Sequence, residues 1–151
     1  MSRSMSTIRI LMADDDPDDC MLTRDAFAEA HLINDISFVS NGQELLDYLR
    51  HEGTYATRDA PPRPSLILLD LNMPIKNGRE ALQEIKEDPQ LRSIPVIILT
   101  TSQAEEEILR AYDLGASSFI TKPVLFESMI EIVKSLGEYW FEIVELPTKA
   151  A

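Results

Sequence analysis

One cysteine, Cys20, stands in the whole chain, so no internal disulfide can form, as suits a reducing cytosol. Basic residues are scarce: 14 Lys and Arg stand against 26 Asp and Glu, a net charge of −12. Phosphate contacts need clustered Lys and Arg, so neither nucleic acid nor an anionic membrane is expected as a direct partner. Such a balance favours a divalent cation, a basic partner surface, or simple solubility. No apolar stretch approaches the roughly 18 residues that cross a bilayer. The opening residues, Met1 to Thr7, are polar and lack the apolar centre of a secretory signal. There are no internal repeats and no low-complexity segments. These absences point to a cytoplasmic protein with no membrane partner.

What is present is 151 residues, 44% hydrophobic and 26% charged, a soluble globular composition. That length builds one well-buried core and is too short for two ordinary domains. The chain is organised around Ser65 to Pro74, S-L-I-L-L-D-L-N-M-P. Leu66 to Leu69 form a short apolar run between Pro64 and Pro74, which predicts a strand buried on both faces. Such strands lie centrally in a parallel sheet, with their carboxyl ends at the ligand crevice. Asp70 is then either a carboxylate at the rim of that crevice or a strand-ending cap for the next loop. The stretch alone leaves both readings open.

Short apolar strands alternate with helical patterns along the chain, which predicts an α/β fold with a parallel sheet. Ile8 to Ala13 is the first strand and runs directly into Asp14, Asp15 and Asp16. Pro17 opens a helix, where its missing N–H costs nothing, and Asp18 and Asp19 lie in the favourable first turn. Leu22, Ala26, Phe27 and Ala30 supply its buried face. Ile36 and Phe38 alternate with polar neighbours in a second, less buried strand. Asn41-Gly42 then turns the chain into a helix carrying Leu45, Leu46 and Leu49. Residues 52–65 form a long, polar, Pro-rich connection, expected to be a disordered excursion rather than a binding loop.

After the Asp70 strand, Asn77-Gly78 leads into a helix with Ala81, Leu82 and Ile85, stopped at Asp88-Pro89. Pro95 to Leu99 is another apolar strand, ending in Thr100, Thr101 and Ser102. The next helix carries Ile108, Leu109 and Tyr112, with Gly115 as its C-cap. Ser118 to Thr121 is a short fifth strand, followed at once by Lys122-Pro123. A last helix runs over residues 125–144, with Phe126, Met129, Ile130, Val133 and Leu136 covering the sheet. Tyr139, Trp140, Phe141, Ile143 and Leu146 exceed what a small domain can bury, which predicts a partner or dimer interface rather than packing on the same domain.

Read together, the strand ends carry Asp14 and Asp15, Asp70, Thr100 and Lys122. In a doubly wound sheet these meet at one edge: three carboxylates, a hydroxyl and an ammonium. Carboxylates so close repel one another unless a cation sits among them. Asp15 and Asp70, with a backbone carbonyl and waters, suit the oxygen shell of Mg²⁺. A metal-bound aspartate beside a lysine is equipment for attack on phosphorus, giving an aspartyl phosphate. Asn72 stands two residues after Asp70, where an aspartyl-phosphate phosphatase would want an acidic residue as its acid and base. His31 and His51 are placed away from the site as surface residues. With no strong base to activate water the acyl phosphate should persist, which describes a switch rather than a turnover enzyme.

These motifs, I-L-M-A-D-D-D-P, L-I-L-L-D-L-N-M-P-I-K-N-G, P-V-I-I-L-T-T and G-A-S-S-F-I-T-K-P, resemble the receiver domain of two-component response regulators. The resemblance covers roughly Ile8 to Gly137. It implies a flavodoxin-like, doubly wound sheet of five parallel strands in order 2-1-3-4-5, flanked by five helices, with an extended C-terminal helix or tail. It makes Asp70 the phosphoacceptor and gives Mg²⁺ to Asp14, Asp15, Asp70 and the backbone carbonyl of Asn72. Thr100, Thr101 and Lys122 would bind the phosphoryl group, and Thr100 and Phe119 would form the switch pair. Phe119 lacks the hydroxyl that a Tyr would offer a partner.

The resemblance further implies a sensor histidine kinase as phosphodonor. The long 52–65 connection and the tail Y-W-F-E-I-V-E-L-P are similar to single-domain regulators paired with phytochrome-type kinases, in which the extension helps build a homodimer. The expected layout is a disordered 1–7, a receiver over 8–137 and a dimerisation arm over 138–151, with no room for an output domain. A pseudo-receiver binding module is the alternative, disfavoured by the intact Asp14, Asp15, Asp70, Thr100 and Lys122. A Mg²⁺-dependent aspartyl-phosphate phosphatase is another, disfavoured by Asn72 and the lack of a substrate-capping domain.

Overall fold

The apolar runs become the strands of one parallel sheet. In the computed structural model, which describes residues 8–29, 34–57, 60–100, 110, 113–121 and 126–136, the strands are β1 (Ile8–Ala13), β2 (Asn34–Val39), β3 (Leu66–Leu69), β4 (Val96–Thr100) and β5 (Ser118–Thr121). Their order is β2-β1-β3-β4-β5, and every neighbouring pair is parallel. The parallel sheet expected from the alternation is therefore present, in the doubly wound order that the resemblance implies. Parallel neighbours require crossovers, and among the described residues helices supply those from β1 to β2, β2 to β3 and β3 to β4.

Side chains leave a strand alternately to either face, and this alternation builds two cores. Leu11, Ala13, Ile67, Leu69, Val96 and Ile98 face one side, packed with Leu45, Leu46 and Leu49 of α2 (Gly42–Arg50) and Ala81, Leu82 and Ile85 of α3 (Gly78–Glu87). Ile10, Met12, Leu66, Leu68, Ile97 and Leu99 face the other, against Ala26 and Phe27 of α1 (Pro17–Glu29) and Met129 and Val133 of α4 (Phe126–Leu136). All four residues of β3 are buried, as a strand covered on both faces requires. Each such leucine contributes about 1.5–3 kcal/mol by leaving water.

Local detail departs from the sequence reading in three places. β4 starts at Val96 and takes in Thr100, because Pro95 has no N–H for the ladder, though its carbonyl accepts from the Ile67 N–H at 3.0 Å. On α1, Thr23 is buried beside Ala26 and Phe27, its hydroxyl satisfied by the Asp19 carbonyl at 2.9 Å, whereas Leu22 is only half-buried. Ala30 lies outside the described residues.

The 52–65 connection is the third departure, because its described part is pinned rather than free. Gly53–Tyr55 forms a 3-10 turn; the Tyr55 hydroxyl donates to Glu44 Oε2 at 2.8 Å, and its ring meets Tyr48 edge-on with centroids 5.0 Å apart. His51 Nε2 lies 2.7 Å from the Pro61 carbonyl oxygen, and Arg63 donates to Gln90 Oε1 at 3.2 Å. These contacts replace the disorder expected from composition. Gly115 closes a helical turn, with the Leu114 N–H on the Arg110 carbonyl and φ +105 at the glycine, the left-handed C-cap expected there. Ile108, Leu109 and Tyr112 of that helix, and everything after residue 136, lie outside the described residues.

Candidate functional site

Register brings the acidic residues together. Ala13 pairs with Leu69, so β1 and β3 end level and the next residue of each, Asp14 and Asp70, emerge side by side. Backbone bonds fix both: Asp14 N–H donates to the Val39 carbonyl and Asp70 N–H to the Ala13 carbonyl, each at 3.0 Å. Each side chain then caps its own turn. Asp14 Oδ1 accepts from the Asp16 N–H and Asp70 Oδ1 from the Asn72 N–H, both at 2.9 Å. The two carboxylates thus stand in matching Asx turns at the carboxyl edge of the sheet. Asp70 caps its own loop, as the strand-cap reading has it, and also stands in an acidic cluster at the sheet edge.

Oxygens of Asp14, Asp15 and Asp70 lie within 4.8 Å of one another. Asp14 is 2% exposed and Asp70 7%, while Asp15 faces solvent. Two buried carboxylates and one open to water make an all-oxygen set that fits a hard divalent cation and leaves it a wet side. Without such a charge the three repel one another. The Cys20 thiol approaches the Asp14 carbonyl at 3.7 Å, which ties the first turn of α1 to the same corner.

The loop from Asp70 to Gly78 is held from several directions. Gly78 begins α3 with its N–H on the Leu71 carbonyl at 3.0 Å, and a β-carbon there would sit 2.8 Å from Leu71 Cα, so only glycine fits. Lys76 pairs with Glu84, whose other oxygen lies 3.4 Å from Arg50, and Arg50 also reaches Asp88 at 3.6 Å. The Lys76 hydrogen bond holds the Glu84 carboxyl below its usual range. At the apex, Ile75 adopts φ 67 and is 82% exposed, a left-handed conformation that a β-branched residue adopts only under strain.

Residues 10–134 match the response regulator receiver domain. The chain belongs to that family. Among similar proteins is response regulator Rcp1 of Synechocystis sp., 35% identical over 138 residues, which are 91% of this chain and 92% of Rcp1. The crystal structure of the phosphorylated cyanobacterial phytochrome response regulator RcpA superposes with a TM-score of 0.86 at 40% identity, covering 95% of this receiver and all of RcpA. The Mn²⁺-bound form of Rcp1 superposes with a TM-score of 0.84 at 34% identity, covering 93% and 99%.

The receiver's described residues therefore bring Asp14, Asp15 and Asp70 to one corner, as the strand ends predicted, with the Asn72 N–H bonded to Asp70 there. Thr100 closes β4 opposite Thr121 of β5, so these strands also end level, and Phe119 lies within β5. The side chains of Thr100 and Phe119, and all of Thr101 and Lys122, lie outside what is described. So do Tyr139, Trp140, Phe141, Ile143 and Leu146. Sequence reasoning missed the strain at Ile75 and the Lys76–Glu84–Arg50 ties. The matching starts of α2 and α3 did have a signal, since N-G-x-E occurs twice, at 41–44 and 77–80, with the Asn as N-cap each time.

Proposed function

We propose that this receiver is a phosphoacceptor switch in a two-component phosphorelay, with Asp70 taking a phosphoryl group from a sensor histidine kinase. The observation that carries the proposal is the level ending of β1 and β3, which places the Asp14, Asp15 and Asp70 carboxylates within 4.8 Å in a chain of this family. An Asp70 oxygen attacks phosphorus; the new O–P bond forms as the P–N bond to the donor histidine breaks, and the electron pair remains on the imidazole nitrogen. Asp14, Asp15, Asp70 and the Asn72 carbonyl would hold Mg²⁺, which would supply positive charge against the phosphoryl oxygens. Lys122, the Thr100 hydroxyl and the Thr101 N–H bind the remaining oxygens.

Acceptance and slow hydrolysis are the receiver's own chemistry, with no external substrate turned over. Asn72 offers no carboxylate to activate water, so the acyl phosphate persists long enough to signal. Thr100 and Phe119 relay the event to a partner surface. The resemblance to RcpA, a phytochrome response regulator by description, supports a phytochrome-type kinase as donor. The apolar residues Tyr139, Trp140, Phe141, Ile143 and Leu146 make the 138–151 arm a homodimer interface beside a receiver over 8–137. The setting is the cytoplasm.

The test is intact mass after incubation with acetyl phosphate and Mg²⁺, beside an Asp70→Asn variant. One phosphoryl increment that needs Mg²⁺ and vanishes in the variant is expected. No increment from acetyl phosphate or from a phosphorylated histidine kinase would overturn the reading.

A further inference from the structure

The first N–H groups of a helix have no partner within it. In α2 two of these are satisfied in quite different ways. The Glu44 N–H is taken by the Asn41 side chain at 2.8 Å, the ordinary N-cap bond. The Gly42 N–H leaves its own helix and donates to the Lys76 carbonyl at 2.8 Å, on the loop that begins with Asp70 and Asn72. Gly42 is buried, and it is needed there for space. A β-carbon would collide with the Lys76 carbonyl oxygen and sit 2.9 Å from its carbon, and backbone atoms cannot swing aside.

The same loop is gripped at its far end by the other N-G-x-E turn, where the Gly78 N–H meets the Leu71 carbonyl. Two helix N-termini therefore clamp one loop through glycine amides. The strand that leads into α2, β2, ends at Val39, whose carbonyl receives the Asp14 N–H. A shift at residues 39–42 thus acts on both strand ends that carry the acidic corner. Ile75, held at φ 67 next to Lys76, shows that the loop keeps a strained path between its two anchors.

We propose that Gly42 is a positioning residue of the phosphoacceptor site: its side-chain-free contact with Lys76 sets the path of loop 70–78, and so the placing of Asp70 and the Asn72 carbonyl around the cation. The inference rests on the metal-site reading above. It assigns Gly42 no contact with the cation or the phosphoryl group.

The test compares Gly42→Ala with Gly53→Ala, each as the full chain, at a temperature where circular dichroism shows both folded. Gly53 has φ +58 in the 3-10 turn, so alanine strains the fold there without touching the loop. Calorimetric titration with Mg²⁺ should give a dissociation constant about tenfold higher for Gly42→Ala, the usual effect of losing a support behind metal ligands. Gly53→Ala should bind as the unaltered protein does. Amide exchange in the metal-free protein supplies a readout that needs no ligand: the Asn72 N–H should exchange faster in Gly42→Ala only.

If Gly42→Ala does not fold, the unaltered protein decides. Saturating Mg²⁺ should slow exchange of the Gly42 and Asn72 amides together, and slowing at Asn72 alone overturns the proposal. Unchanged Mg²⁺ affinity in folded Gly42→Ala also overturns it while leaving the site reading intact. Failure of the unaltered protein to bind Mg²⁺ sinks the metal-site reading and this one with it.

Discussion

Tyr55 shows how one side chain can fix a connection that composition marks as loose. Its hydroxyl donates to Glu44, and burial, followed by the bond and the nearby Glu44 charge, pushes the phenol up to about 12. At Glu44 burial works upward, but hydrogen bonds from the Ser40 N–H, the Tyr55 hydroxyl and the Ser40 hydroxyl outweigh it and leave the carboxyl lowered. The signs follow directly. The fold favours neutral Tyr55, so its contribution is complete below the unfolded value of 10 and is lost as pH rises through about 12. The fold favours ionised Glu44, so that contribution is lost as pH falls through the lowered value. Following tyrosinate absorbance with pH should show one of the four tyrosines titrating near 12, a component absent from Tyr55→Phe. If all four ionise together in the folded protein, the Glu44–Tyr55 bond does not hold in solution. At this scale the acidic corner was legible, because Asp14 and Asp70 each directly follow an apolar strand and Asp15 comes next after Asp14. Ile75 was not, because Pro74 and Asn77-Gly78 announce a turn there, but nothing in a β-branched residue announces that it takes the left-handed position itself.

Among the elements, β3 and α3 depend on different forces, and their losses should differ accordingly. Leu68 is 1% exposed in the middle of β3 and packs on the α1–α4 side. Removing its side chain leaves a cavity that neighbours on both strands cannot fill, so Leu68→Ala should cost about 2–5 kcal/mol. α3 starts with a full capping box: Asn77 accepts from the Glu80 N–H and Glu80 from the Asn77 N–H, each at 3.0 Å. Asn77→Ala should cost about 1 kcal/mol, since water can replace part of an exposed cap. Urea denaturation of both variants measures the contrast; equal losses would mean that β3 packs less tightly than its burial indicates. Strands and helices were legible because period-two and helical spacing are local signals. The 52–65 connection was misread because what pins it is distant in sequence: Arg63 reaches Gln90 and Tyr55 reaches Glu44.

For the whole molecule, charge and apolar surplus pull in opposite directions. Each chain carries −12, so two copies repel over the roughly 8–10 Å that physiological salt leaves unscreened. The homodimer proposed for the 138–151 arm would therefore have to draw on apolar burial by Tyr139, Trp140, Phe141, Ile143 and Leu146. Salt weakens the repulsion and leaves that burial largely untouched, so the dimer fraction should rise with ionic strength, the reverse of a dimer held by ion pairs. Replacing Trp140 and Phe141 with serine should give a monomer at every salt concentration in light scattering. The doubly substituted chain should still gain one phosphoryl group from acetyl phosphate, because Asp14 and Asp70 are held at the ends of β1 and β3 by their own Asx turns. A variant that stays dimeric would move the interface off the arm. A monomer that cannot be phosphorylated would show that the acidic corner depends on the second copy, contrary to the backbone bonds that hold it within one chain.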